Sequence, residues 1–299
     1  MARTTDTDLA PHELRILVAV ADAGGFSAGA VTLGLTQSAV SRSVRGSERK
    51  IGAVLFERGR NGARPTAAGE QAVAHARRVL RLLDVLVAEA RGSVRSDAAR
   101  EPEGPLRIAA FRSSALHLLP AVLQRLRERH PGIEPQVRIV RELGRGTAGE
   151  VADGRADLAI ATLDGARLPA GLVVHGLFEE SYSLVYPAGH PAPRALPLVD
   201  WAENCGSYTR AWWGAQDWIP GATIEAEDDG AVLTLVGGGH GMAIMPALSL
   251  VGAPDSVEIT DLGPKRPTRR VGYVTTPELA GSAVVRALVR ELRATSSAV

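Results

Sequence analysis

The chain has 299 residues and a formal net charge of +1, and its 45% hydrophobic and 22% charged content is typical of a folded protein with two domains. No apolar run approaches the roughly 18 residues of a membrane span, and the polar first residues are unlike a signal peptide, so we expect a cytoplasmic protein with no membrane partner. A single cysteine, Cys205, excludes an internal disulfide, and the scattered histidines have no ligand spacing, so we expect no metal and no cofactor.

Short helices are predicted near the N-terminus. Apolar residues between Pro11 and Ala23 have the i, i+3, i+4, i+7 spacing of an amphipathic helix. A second helix is predicted from Ser27 to Leu33, with Ser27 as its N-cap. Gly34 then allows a turn into a third helix.

The third helix carries an unusual charge pattern. Thr36 can cap a helix from Gln37 to about Ile51. The stretch from Gln37 to Arg64 holds seven basic and two acidic residues, a net charge of +5. Its predicted inward face is Ala39, Val40, Val44 and Ile51, and its outward face is Gln37, Ser38, Ser41, Arg42 and Arg45, which together with the cap Thr36 are the candidate contact residues. The pattern fits either a solvated helix face or a helix-turn-helix that enters the major groove of DNA.

A hairpin is predicted after this helix. The stretch from Leu55 to Pro65 has the composition of a two-stranded wing, and Arg58, Arg60 and Arg64 are its candidate phosphate contacts.

A long helix is predicted from Thr66 onward. Its apolar residues alternate at spacings of three and four, at Val73, Ala76, Leu80, Leu83, Val87 and Ala90. This heptad seam indicates a dimerising helix, and the alternative is a helix that packs on the core of its own domain. The polar run from Arg91 to Gly104 has the composition of a hinge.

The rest of the chain alternates strands and helices, which predicts a parallel α/β sheet in two lobes with a cleft between them. Strands are predicted at 105–111, 134–142, 157–162 and 269–276, further strands at 172–191, and helices at 113–131, 148–156 and 281–294. A further helix, a glycine turn and a strand are predicted within 231–246.

These motifs together resemble the LysR-type transcriptional regulators. The resemblance is carried by Phe26, Ala30, Leu33, "TQSAVSR" (36–42), Glu48, Gly52, "LFER" (55–58), "TAAG" (66–69), "GRADLAI" (154–160), "LVYPAGHP" (184–191) and "GHGMAIMP" (239–246). It implies a bacterial regulator that binds double-stranded promoter DNA and a small effector, as a homodimer or homotetramer. Gly29, Gly46 and Ser47 depart from the family pattern, and the glycine at 46 is expected to fray or repack the third helix.

The resemblance divides the chain into three parts. They are a winged helix-turn-helix at 1–66, a dimerising linker helix and hinge at 67–103, and an effector domain at 104–299 similar to periplasmic binding proteins. Within the effector domain, the first lobe is expected at about 104–180 and 275–299, and the second at about 181–274.

The resemblance also locates a cleft wall between the first effector-domain strand and the helix that follows. Because a helix N-terminus favours an anion, a small carboxylate or similarly polar metabolite is the expected ligand. The candidate residues are Phe111, Arg112, Ser113, Ser114 and Thr162 on one side and Tyr208, Thr209, Arg210 and Asp229 on the other. Asp228 and Asp229 are expected to point in different directions.

Other interpretations are a small-molecule-binding or enzymatic α/β protein with a fused DNA-binding domain. No catalytic motif supports an enzyme. The glycine-rich run at 237–241 is interpreted as a tight turn, because it lacks the Lys-Ser/Thr of a phosphate-binding loop. Cys205 is either a redox sensor or a packed thiol, and Trp212 and Trp213 either line the cleft or pack in the core.

Overall fold

The computed structural model describes residues 8–59, 62–94, 101–164, 168–204 and 207–296. They divide into two compact units, one made of Met1–Arg100 with Ala152–Arg155 and the other of Glu101–Val151 with Ala156–Val299. In the described parts of the chain, no helix combines the length and the apolarity needed to cross a bilayer.

The first unit is a winged helix-turn-helix followed by a long helix. Its elements are α1 (Pro11–Asp22), α2 (Phe26–Leu33), α3 (Gln37–Ile51), β1 (Phe56–Gly59), β2 (Gly62–Pro65) and α4 (Ala67–Val94). β1 and β2 form the predicted antiparallel hairpin. The predicted cap at Ser27 is wrong, because α2 begins at Phe26 with Gly25 as its N-cap.

Local signals explain the bounds of α3. The Thr36 hydroxyl accepts a hydrogen bond from the Ala39 N–H at 3.2 Å, which caps the helix as predicted. Gly52 ends it in the left-handed conformation at φ 78°, where glycine has no Cβ penalty. The helix is continuous through Gly46, so the predicted fraying is wrong.

The core of this unit joins all of its elements. Val20, Val40 and Leu55 have no exposed surface, and they pack with Phe26 of α2 and Val73 of α4. Gly69 lies close to the wing, since a Cβ built there would meet the Leu55 carbonyl oxygen at 1.9 Å. The first turns of α4 therefore pack closely against the core and the wing of the first unit.

The second unit is built on a mixed sheet. Its first elements are β3 (Gly104–Ala110), α5 (Arg112–His117), α6 (Leu119–Arg129), β4 (Ile133–Ile139), α7 (Gly146–Ala152), β5 (Leu158–Thr162) and β6 (Val173–Pro187). β3 pairs in parallel with both β4 and β5, as predicted. The single helix predicted at 113–131 is wrong. Pro120 has no N–H to donate to a carbonyl one turn back, and the helix is interrupted at Leu118, between α5 and α6.

The second lobe follows β6. Its elements are β7 (Leu198–Trp201), α8 (Ser207–Gly214), β8 (Ala222–Ala226), α9 (Asp229–Gly237), β9 (Ala243–Pro246) and β10 (Val257–Asp261). The chain then returns through β11 (Thr268–Thr275), α10 (Pro277–Ala280) and α11 (Ala283–Ser296). The glycine-rich run is a turn between α9 and β9, as predicted, with Gly239 at φ 85°.

The long strand β6 runs through both lobes. The first half of β6 pairs with β11, and its second half pairs with β9 and β10 of the second lobe. β11 also pairs antiparallel with β5. The sheet is therefore parallel only in β4, β3 and β5, and residues 268–274 belong to the first-lobe sheet rather than to the second lobe as expected.

Candidate functional site

The first candidate site is the exposed face of α3. Thr36, Gln37, Ser38, Arg42 and Arg45 are exposed, as is Arg49 one turn further on. Short polar side chains thus lie at the helix start and guanidinium groups follow them, which suits contacts to base edges and to phosphates.

Two residues of α3 were assigned to the wrong face. Ser41 is only 7% exposed, so it is not available on the outward face. Ile51 is 39% exposed, so it is not a core residue. Ile51 is the last residue of the helix, where the chain turns at Gly52 and leaves the core.

The other two charged residues of α3, Glu48 and Lys50, form contacts inside the unit. Glu48 Oε1 accepts hydrogen bonds from the N–H groups of Leu55 at 2.9 Å and Phe56 at 3.3 Å, which ties α3 to the wing. Lys50 Nζ lies 2.8 Å from Glu13 Oε2 of α1. Burial of Glu13 acts to raise its pKa, but the hydrogen bonds from Lys50 and the Ala10 N–H hold that pKa below its ordinary value.

The remaining cations border an open groove. Arg42, Arg45 and Arg49 line it together with Glu48 and the turn at Gly52–Val54. On the wing, Arg64 is exposed. The side chain of Arg58 and all of Arg60 lie outside the described residues, so their predicted phosphate contacts stay predictions.

The residues of the predicted seam of α4 differ in exposure, because some are buried in the first unit and others face outward. Val73 and Ala76 are 2% and 1% exposed within their own unit, so the prediction that they contact a second copy is wrong. Leu80 and Leu83 are partly buried. The apolar residues that face outward are Val79, Leu82, Leu86, Val87 and Ala90.

The second candidate site is a small, partly open cavity of about 20 Å³ in the cleft of the second unit. That volume holds about one water molecule. It is lined by Phe111, Arg112, Ser113, Glu142, Trp201, Glu203, Asp228, Asp229, Ser249 and Arg269. The predicted residues Phe111, Arg112, Ser113 and Asp229 therefore meet here.

Arg112 connects the two walls of the cavity. Its Nε lies 3.4 Å from Asp228 Oδ2, and its Nη1 contacts Asp229 Oδ1. Asp228 also caps α9 by accepting a hydrogen bond from the Ala231 N–H at 2.9 Å. The expectation that the two aspartates point in different directions is wrong, since both carboxylates meet one guanidinium.

Arg269 is a lining residue that the sequence did not reveal. Its Nε lies 2.7 Å from Glu180 Oε1, its guanidinium lies 5.0 Å from the Phe111 ring centroid, and its Nη2 lies 3.5 Å from the Ser113 hydroxyl. Burial acts to lower the pKa of Arg269, but the charge and hydrogen bond of Glu180 together with the charges of Tyr182 and Glu142 outweigh burial and raise that pKa. Buried charges in otherwise apolar strands were the only sequence signal for this pair.

Two further acids were also missed. Glu203 Oε1 accepts from Arg141 Nε at 2.9 Å, and its Oε2 accepts from the Glu142 N–H at 3.1 Å. The Glu142 carboxylate accepts from the N–H groups of Thr147 and Thr162, each at 2.9 Å. Burial nevertheless raises the pKa of Glu142.

Several predicted cleft residues do not line the cavity. Ser114 is fully buried and donates its hydroxyl to the Phe111 carbonyl at 2.8 Å. Thr162 contributes only its N–H, to Glu142. Thr209 is fully buried, and in the described part of the chain its hydroxyl has no hydrogen-bond partner. The side chains of Tyr208 and Arg210 lie outside the described residues.

Two open alternatives from the sequence concern tryptophan and cysteine. Trp213 is buried, and it packs with the partly buried Trp212 in a core cluster of the second lobe, which favours packing over ligand binding. Cys205 lies outside the described residues. Within the described ranges, no group of three or more His, Cys, Asp or Glu residues is arranged to hold a metal ion.

Comparison with known proteins gives one consistent result. Residues 11–70 match the model of the bacterial regulatory helix-turn-helix protein, lysR family, and residues 99–297 match the LysR substrate binding domain. A probable HTH-type transcriptional regulator, LrrA of Synechococcus elongatus, is 34% identical over 256 residues, covering 82% of this chain and 83% of that protein.

Solved structures share the fold. A full-length OxyR variant from Pseudomonas aeruginosa has a TM-score of 0.73 at 22% identity, covering 97% of this chain and 96% of that chain. Full-length CbnR complexed with its target DNA has a TM-score of 0.63 at 20% identity, covering 96% of this chain and 100% of that chain. The relatives are regulators rather than enzymes, and this chain belongs to the LysR family of bacterial DNA-binding transcriptional regulators.

Proposed function

We propose that this regulator reads promoter DNA with the exposed face of α3 and changes its DNA binding when a small polar metabolite occupies the cleft. Gln37 and Ser38 meet bases, Arg42 meets a base or a phosphate, and Arg45 holds phosphates. The DNA-binding domain spans 1–66, the linker helix and hinge 67–103, and the effector domain 104–299. The protein acts in the bacterial cytoplasm, where promoter DNA is found.

The observation that carries this proposal is the exposed polar and cationic face of α3. A lone run of arginines is often a solvated face, but here the other charges of the helix, Glu48 and Lys50, are engaged inside the unit. The guanidinium groups of Arg42, Arg45 and Arg49 are left outward on one groove. An arginine in a major groove can form two hydrogen bonds to guanine, and a glutamine can do the same to adenine.

The outward apolar face of α4 supports a second copy as the partner. Leu86 is 62% exposed and Val87 45% exposed on a helix of 28 residues, and such a seam is stabilised by an identical helix. Two copies present two α3 helices to two DNA half-sites. Pairing of two such dimers gives the homotetramer that the family resemblance suggests.

The assignment of α3 as the DNA-reading helix is tested by measuring DNA affinity. A duplex is first selected from random DNA, and its binding to the full-length chain is then measured by fluorescence anisotropy. Arg42→Ala should weaken binding by about 1–3 kcal/mol if Arg42 reads a base. Arg15→Ala is the matched control, because Arg15 is an exposed arginine of α1 on the same unit. Equal affinities of the Arg42→Ala variant and the unmodified protein would remove Arg42 from the interface.

A further inference from the structure

The cleft of the second unit has an unusual charge balance. Among the residues that the structure describes, its lining includes two guanidinium groups and four carboxylates, which sum to a formal charge of −2: Arg112, Arg269, Glu142, Glu203, Asp228 and Asp229. Two lining residues have ion-pair partners outside the cavity, Glu180 and Arg141, and these two charges cancel. The negative surplus therefore remains when the lining residues are counted together with their ion-pair partners.

Both cations in this lining are already engaged. Arg269 is buried with Glu180 and lies over the Phe111 ring. Arg112 meets both Asp228 and Asp229, so one positive charge faces two negative ones. An anionic ligand would have to displace an aspartate from Arg112 while the second aspartate stayed beside it.

The acids, in contrast, lack sufficient counter-charge. Glu142 is held by the N–H groups of Thr147 and Thr162, and the charge of Arg269, already paired with Glu180, also acts on it. Burial outweighs these hydrogen bonds and the charge of Arg269 and raises the pKa of Glu142, so its negative charge is only partly compensated. Trp201, which is 5% exposed, adds an aromatic wall of the kind that accepts ammonium groups.

We infer that the cleft binds a ligand carrying a protonated amine, which pairs with Asp228 and Asp229 and offsets the negative surplus. This inference rests on the proposed function, in which the cleft is the effector site. A carboxylate on the same molecule would then be received by Arg112 once the amine has taken its place at the aspartates. Amines and amino acids fit this chemistry, and dicarboxylates do not. Because the cavity of about 20 Å³ holds only about one water molecule, the inference requires the two cleft walls to move apart around the ligand.

A thermal-shift experiment on the full-length chain tests the charge preference. The probes are diamines, amino acids and dicarboxylates of matched length, from two to six carbons. At about ten times the Kd, a bound probe should raise the Tm by about 3–6 °C. We expect this rise with an amine-bearing probe and none with the dicarboxylates.

Two variants test whether the rise in Tm comes from binding in the cleft. Asp228→Asn with Asp229→Asn removes the surplus charge, and asparagine keeps the helix cap, so this protein should fold and lose the amine-dependent shift. Glu225→Gln is the matched control, because Glu225 is an exposed acid of β8 that does not line the cavity. An amine shift that survives in the double variant overturns the inference, since the amine then binds elsewhere.

Other outcomes separate this inference from the proposed function. If dicarboxylates raise the Tm, and Arg112→Gln abolishes that rise, the cleft is the effector site but the amine class is wrong. If no probe of any class raises the Tm, the inference is overturned, while affinity for selected DNA in the same protein still reports on the DNA-binding half of the proposed function.

Discussion

Replacing Leu82 and Leu86 by glutamate should separate the two copies that α4 is proposed to join. These side chains are 37% and 62% exposed, which together equals about one whole leucine per protomer. Burial of a whole leucine stabilises by about 1.5–3 kcal/mol, so a symmetric pair loses about 3–6 kcal/mol. That loss raises the dimer Kd by about 10² to 10⁴-fold, before repulsion between the new charges is added.

The assay is light scattering after size-exclusion chromatography at low micromolar concentration, where the molar mass of the variant should be half that of the unmodified protein. The positions are outward on α4, so circular dichroism should show an intact fold. Val31→Glu with Val54→Glu is the matched control, since these valines are 82% and 64% exposed outside α4. An unchanged mass for the α4 variant, or a halved mass for the control, would refute the reasoning.

Other predictions concern the first unit. Gly46→Ala should stabilise folding by about 0.5–1 kcal/mol, because the new methyl group meets only one side-chain oxygen, at 3.9 Å. Gly69→Ala should destabilise it in the same denaturation assay, because the methyl group would lie 1.9 Å from a backbone oxygen, and equal effects of the two would contradict the packing described. Because the pKa of Glu13 is lower in the folded protein, the Glu13 carboxylate stabilises the fold at any pH above its ordinary pKa. This stabilisation is lost as the pH falls through the pKa of the folded protein. Glu13→Gln should therefore cost about 1–2 kcal/mol at pH 7 and little in strong acid, as urea titrations at several pH values would reveal. Arg45→Ala should lower the slope of log K against log salt by about 0.9 per protomer, and an unchanged slope would mean that Arg45 holds no phosphate.

The N-terminal elements were predictable because their signals are local. The Thr36 cap and the glycine at 52 lie at the ends of α3, and they fix its bounds wherever the helix packs. The face of each residue was less certain. Ser41 lies at the border of the exposed and buried sides, and periodicity alone assigned it to the wrong one.

The seam of α4 shows a different limit. The predicted seam lies on one continuous helix, but spacing cannot tell which contacts lie within the protomer. Because the first turns of α4 pack on α1 and the wing, Val73 joins the core. The outward residues include Val87 of the predicted seam and also Val79, Leu82 and Leu86, each of which lies one position before a seam residue.

The cleft was the least predictable part because its contacts are distant in sequence. Arg112 and Asp229 are 117 residues apart, and Arg269 and Glu180 are 89 apart. A helix N-terminus with serines suggested an anionic ligand. The acids that meet there in the fold reverse the local charge, and no single segment carries that information.

Selection of bound duplexes from a random DNA pool by the full-length chain tests the central claim most directly, namely that two copies of α3 read promoter DNA. The account predicts that recovered sequences share a two-fold symmetric motif, with half-sites separated by about 10–10.5 base pairs or a multiple of that spacing. Loss of base preference within the half-site should follow from Gln37→Ala with Arg42→Ala. A recovered pool without a common motif, or a motif that this double variant leaves unchanged, would contradict the account.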